Sequence, residues 1–253
     1  MVYASDYYRA FITAYGMKLT IQPLDQNNEV GPEIVHSFRV FFTDPSKPSA
    51  QKHKGRAIAR FDTLTEPVMI GVAGQPGSRP PPGGYTHTAV LSGVLDDDVF
   101  FAYTFEFEPT VIRFSTVIKD PEGIAFSSRG DHSVSVRQSL DAKDYASLDD
   151  IKAASEGWEI TLDGKDMRET TFPFWPMLHT STGGVDTLIT KGPWGSRILH
   201  VDMPPTKYRD AEPRFTTFSP TYTGRPALDG FRLYRPFYLS HGDFEAAYTI
   251  TFK

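Results

Sequence analysis

Two pairs of residues have the types and spacing for acid/base chemistry. Glu106 and Glu108 lie two apart in VFFAYTFEFEPTVIRFSTVIK, so on an extended strand their carboxyl groups leave the same face. Glycoside hydrolysis uses carboxylates paired in this way, one as acid and the other as nucleophile or base. His200 and Asp202 repeat the spacing in RILHVD, where an Asp can orient an imidazole for general-base work. His132 follows Arg129 and Asp131 in SSRGDH, a loop entering a strand, and His241 and Asp243 form a similar turn pair in SHGD. Each set has a plainer reading. Arg113 across from Glu106 would make an ordinary surface ion pair, and His200 and Asp202 would be the polar face of a strand whose inner face is Leu199 and Val201.

Binding chemistry is suggested by aromatic residues. Trp175 in FPFWPM and Trp194 in KGPWGS sit between prolines and glycines, where an indole can stack on a sugar ring or close over an apolar ligand. Tyr103 and Phe105 are the strand residues that would line a cavity beneath them. The seven histidines include no HxH or HExxH spacing, so no metal is expected. GGYTH and STGGVD lack the spacing of phosphate-binding loops, and no other cofactor motif occurs, so the expected chemistry is cofactor-independent.

The elements that must position these residues are strands. In Val99–Lys119, Phe101, Tyr103, Phe105 and Phe107 alternate with polar residues, and Ile112, Phe114, Thr116 and Ile118 do the same after Pro109-Thr110. A hairpin turning there pairs Phe107 with Ile112, Phe105 with Phe114, Phe101 with Ile118 and Glu106 with Arg113, so hydrophobic pattern and register agree on both faces. Further strands are expected at 18–22, 35–43, 56–61, 68–72, 85–94, 132–140, 158–162, 186–190, 197–202, 231–239 and 244–252. Asp163-Gly164 marks a tight hairpin. Ser5–Gly16 fits a short helix capped by Ser5 or Asp6, or an edge strand; Leu148–Ser155 fits a helix with a capping box from Ser147 and Asp150. Residues 73–84, with prolines at 80–82, and residues 203–230 are expected as loops.

These elements predict a single all-β domain over 1–253, an antiparallel β-sandwich or jelly roll or a large lipocalin-like barrel with one short helix; a two-half arrangement would have its junction near 141–157. A net charge of -5 without a basic run tells against nucleic acid, and the absence of cysteine removes thiolate chemistry and disulfides. No apolar stretch is long enough for a membrane-spanning helix, and the N-terminus has no apolar leader core, so a cytoplasmic protein is expected, although a chain freed of its leader would read the same.

Three functions follow, in order. The first is a cofactor-independent enzyme or binder for a small, largely apolar metabolite, with acid/base work (isomerisation, cyclisation, hydration or dehydration) by His200, Asp202 or His132. The second is a carbohydrate-active sandwich, whether hydrolase, lyase or sugar-binding module, that uses Glu106 and Glu108. The third is a self-assembling jelly roll, and a homo-oligomer is compatible with any of the three.

Overall fold

The computed structural model describes residues 1–13, 18–31, 33–43, 53–55, 58–65, 83–119, 129–140, 159–162, 165–166, 179–180, 185–190, 197–203, 214–217, 228–238 and 243–253. In chain order its strands are β1 (Tyr3–Ala4), β2 (Tyr8–Thr13), β3 (Lys18–Pro23), β4 (Glu33–Thr43), β5 (His53–Gly55), β6 (Ile58–Leu64), β7 (Thr88–Leu95), β8 (Phe100–Glu108) and β9 (Val111–Lys119). Then follow β10 (Arg129–Leu140), β11 (Glu159–Leu162), β12 (Lys165–Asp166), β13 (His179–Thr180), β14 (Val185–Thr190), β15 (Leu199–Met203), β16 (Arg214–Thr217), β17 (Leu228–Tyr238) and β18 (Asp243–Phe252).

They form two antiparallel nine-stranded sheets. The first runs β1-β2-β3-β4-β10-β17-β16-β13, with β5 also on β4; the second runs β12-β11-β14-β15-β18-β9-β8-β7-β6. Both sheets draw strands from either side of residues 141–157. The two pack through one core. Tyr8, Ala10, Ile12, Leu19, Ile21 and Ile34 of the first sheet join Phe101, Tyr103, Phe105, Phe107, Ile112, Phe114, Leu199, Val201, Tyr248 and Ile250 of the second in one buried cluster. This is a β-sandwich. The closed-barrel alternative gives way because the strands separate into two sheets, each with its own edges.

The central hairpin has the expected register on both faces, with Phe107↔Ile112, Phe105↔Phe114, Phe101↔Ile118 and Glu106↔Arg113 all in place. Its inward rings are buried, and they stack or tilt against one another at centroid distances of 5.0 to 6.4 Å. His36 of β4 is fully buried between the sheets, edge-on to Phe114 at 4.5 Å, and its Nδ1 bonds the Tyr248 hydroxyl across the core.

Three expectations change. The segment after Ser5 takes the strand alternative and not the helix, and it is an inner strand and not an edge. The Ser5 hydroxyl oxygen does accept from the Tyr7 and Tyr8 amides, at 3.1 and 3.3 Å, but this cap-like bond closes a turn into β2. Strand β2 lies between β1 and β3, so its backbone is paired on both sides and β pairing outweighs the local helical option. The expected loop 203–230 contains β16, which pairs with β17. The expected strand at 56–61 is described from Ile58 and runs on past Phe61 to Leu64. The hairpin β11–β12 forms around Asp163-Gly164 as expected. The helix at 148–155, the strand at 68–72 and the proline loop through residue 82 lie outside the described residues.

Strand β6 pairs with β7 irregularly, with register shifts between Ile58 and Arg60 and between Phe61 and Thr63. Gly93 of β7 lies beneath one of them; a Cβ there would come within 2.2 Å of the Arg60 carbonyl oxygen.

Candidate functional site

Alternation in the second sheet sends Phe105, Phe107, Ile112, Phe114, Tyr248, Ile250, Leu199 and Val201 into the core. It leaves Glu106, Glu108, Arg113, Thr249, Thr251, His200 and Asp202 on the outer face. Ladder pairing then places them in rows. Thr88, Glu106, Arg113, Thr249 and Asp202 are successive partners across β7, β8, β9, β18 and β15. In the next row Glu108, Val111, Thr251 and His200 are partners across β8, β9, β18 and β15. Glu106, Glu108, His200 and Asp202 therefore share one sheet face. They do not form one cluster. Glu106 and Asp202 are three strand intervals apart, about 14 Å, as are Glu108 and His200, and no single proton transfer spans that gap.

His132, by contrast, is on the other sheet, where it pairs with Phe38 of β4 and Arg235 of β17. Tyr103 and Phe105 are core rings with no exposed surface; Phe105 meets His36 and Phe114 at 5.8 and 5.0 Å. Burial pushes the Tyr103 phenol well above the ordinary tyrosine range. Trp175 and Trp194 lie outside the described residues. A recess at the sandwich end, lined by Pro23, Leu24, Arg197, Ile198, Leu199 and Phe252, is too tight to admit a water molecule. Among the described residues no three His, Asp or Glu side chains converge as metal ligands, and no helix is long and apolar enough to cross a membrane.

The carboxylate pair is where the structure adds most. Arg113 is directly opposite Glu106, yet its Nη1 reaches diagonally to Glu108 Oε1 and forms the ion pair there. Long side chains can reach a diagonal neighbour on a sheet face, and here that choice leaves Glu106 outside the pair. The expected surface ion pair thus exists, but with the other glutamate. Both partners are about half exposed.

The end of β8 that carries Glu108 is held by every carbonyl of its turn. The Tyr8 hydroxyl donates to the Glu108 and Val111 carbonyls at 2.7 and 3.2 Å, and the Ser5 hydroxyl donates to the Pro109 carbonyl at 2.7 Å. The Phe252 amide donates to the Thr110 carbonyl at 2.8 Å. Burial raises the Tyr8 phenol far above its ordinary value, with Tyr3 and Glu108 nearby adding to the effect, so this hydroxyl stays protonated and donating. A second anchor lies at the start of β15. The Arg197 guanidinium donates to the Asp6 and Leu24 carbonyls at 2.6 and 2.7 Å and covers the Tyr7 ring at 4.3 Å. Arg197 thus ties the two sheets together. Neither Tyr8 nor Arg197 carried a sequence signal for these roles, because their partners are main-chain carbonyls far away in sequence.

No protein-family model matches this sequence, and no curated protein matches it. Among solved structures, the chain is similar to a galactose mutarotase-like protein from Lactobacillus casei ATCC 334, with a TM-score of 0.45 and 9% identity over 100% of this chain and 99% of that one. It is also similar to a candidate aldose 1-epimerase from Escherichia coli K12, with a TM-score of 0.40 and 8% identity over 97% of this chain and 99% of that one. Likeness at this level assigns no residue and no activity.

Proposed function

We propose that this protein is carbohydrate-active, and that it engages a sugar on the outer face of the second sheet with Glu106 as the proton-transferring group. The observation that carries the reading is the split fate of the two glutamates: Glu108 is committed to Arg113, while Glu106, one same-face step away, is exposed and outside that pair. The Glu108–Arg113 pair offers a carboxylate acceptor and guanidinium donors to ring hydroxyls, and Thr88 and Thr104 add hydroxyls around Glu106.

The reaction class is acid/base chemistry at the anomeric centre or the glycosidic oxygen. Apolar-metabolite binding draws less support, because the Tyr103 and Phe105 rings proposed to line its cavity are closed into the core. A thermal-shift screen against sugars and apolar metabolites separates the two; a ligand at a hundred times its Kd stabilises by about 2.7 kcal/mol. Sugars should raise the midpoint. For a sugar that does, conversion followed by NMR should fall at least about 100-fold in Glu106→Gln with binding retained, the scale of a lost general acid or base. Shifts from apolar metabolites alone, or full turnover by Glu106→Gln, would overturn the reading.

A further inference from the structure

We infer that the outer face of the second sheet takes a neutral chain of sugars laid across the strands, not a single free sugar; this rests on the carbohydrate reading above. The row through Glu106 is long: Thr88, Glu106, Arg113, Thr249 and Asp202 form an unbroken line of hydroxyl, carboxylate and guanidinium residues over five adjacent strands. At the usual strand separation its four intervals cover about 19 Å. A single sugar ring would meet a small part of that line, whereas an extended oligosaccharide presents hydroxyls along all of it.

Charge selects among extended ligands. The row holds Glu106 and Asp202 against Arg113, and Glu108 and Glu245 stand on the same face. Such a surface repels nucleic acid and sulfated or uronate-rich glycans, while its interleaved donors and acceptors suit uncharged hydroxyls. Burial increases along the row, from exposed Glu106 and Arg113 to half-buried Thr249 and Asp202, so the far end is the more enclosed.

The test is calorimetric titration of the full chain with neutral gluco- and galacto-oligosaccharides of each linkage, from monomer to hexamer, with heparin as the polyanion. Affinity should rise at least tenfold from monomer to hexamer in one series and be absent for heparin. Asp202→Ala, about 14 Å from Glu106 along the row, should weaken the hexamer several-fold more than the dimer. A monomer that binds as tightly as its hexamer, or heparin that binds more tightly than any neutral chain, would overturn this inference and leave the carbohydrate reading standing. Failure of every neutral sugar to bind at any length would remove both.

Discussion

Beside the turn of the central hairpin a guanidinium has two carboxylates within reach, and which it takes decides what each can do. Arg113 takes Glu108. Alternation and register sufficed to place all three residues on one face, but the choice between a direct and a diagonal partner depends on rotamers and not on periodicity. The same limit applies inside the core. Tyr103 was legible as an inward residue and was read as a cavity wall, because a sequence pattern does not distinguish a lining ring from a packed one. Its placement carries a consequence for pH. A phenol whose folded pKa is raised contributes stability that is present below the unfolded value, near pH 10, and lost as pH rises above it, because the unfolded chain ionises first. Tyr8 acts in the same direction. Stability measured by urea unfolding should therefore be flat through neutral pH and fall above about pH 10, by roughly 1.4 kcal/mol per pH unit for each such phenol. Tyr103→Phe should lessen that slope. An unchanged alkaline limb in the variant would mean that Tyr103 ionises equally easily in both states.

At the scale of elements, the hairpin β8–β9 was the most legible part of the chain, and it lies inside the second sheet between β18 and β7. Its inward aromatic residues fill space that nothing else can fill. Phe105→Ala should cost about 3–5 kcal/mol, read as a lower urea midpoint. Glu106→Gln, on the opposite face of the same strand, should move stability by less than about 0.5 kcal/mol. Equal losses in the two variants would contradict the inside-outside assignment of β8. The N-terminal segment was the hardest to read for an identifiable reason. Ser5 makes the hydrogen bonds of a helix cap, so the local signal was real, but β2 gains ladder bonds on both sides and a buried face that two helical turns would not have had. Short β16 leaves no sequence signal, because a stretch rich in proline and aromatic residues gives no alternation of sufficient length.

Across the whole molecule, the sum of short alternating strands was enough for an all-β double-sheet architecture, since each needs a partner for its apolar face. Which strand joins which sheet was not legible. Strands β4, β10 and β17 lie side by side although they are far apart in sequence, and β9 meets β18 across more than half the chain. Such pairings are decided by the packing of whole faces, which a single sequence does not display. The candidate site was legible to the same degree. Its residues were found one strand at a time, but the row they form exists only once the ladders are assembled.

A sheet that ends in a straight, unbroken strand invites the next molecule to add one of its own. Strand β6, the last described strand of the second sheet, is not straight: its ladder to β7 slips twice within seven residues, and Gly93 makes room for the slip by having no side chain. Gly93→Ala drives a methyl group into the Arg60 carbonyl and should lift β6 away from β7. The expected result is a lower unfolding midpoint together with aggregates that bind thioflavin T on warming, where the parent chain stays monodisperse. A variant as stable and as soluble as the parent would mean that β6 does not guard this border. On this view the kinks of one border strand oppose the addition of a second copy's strand at that edge.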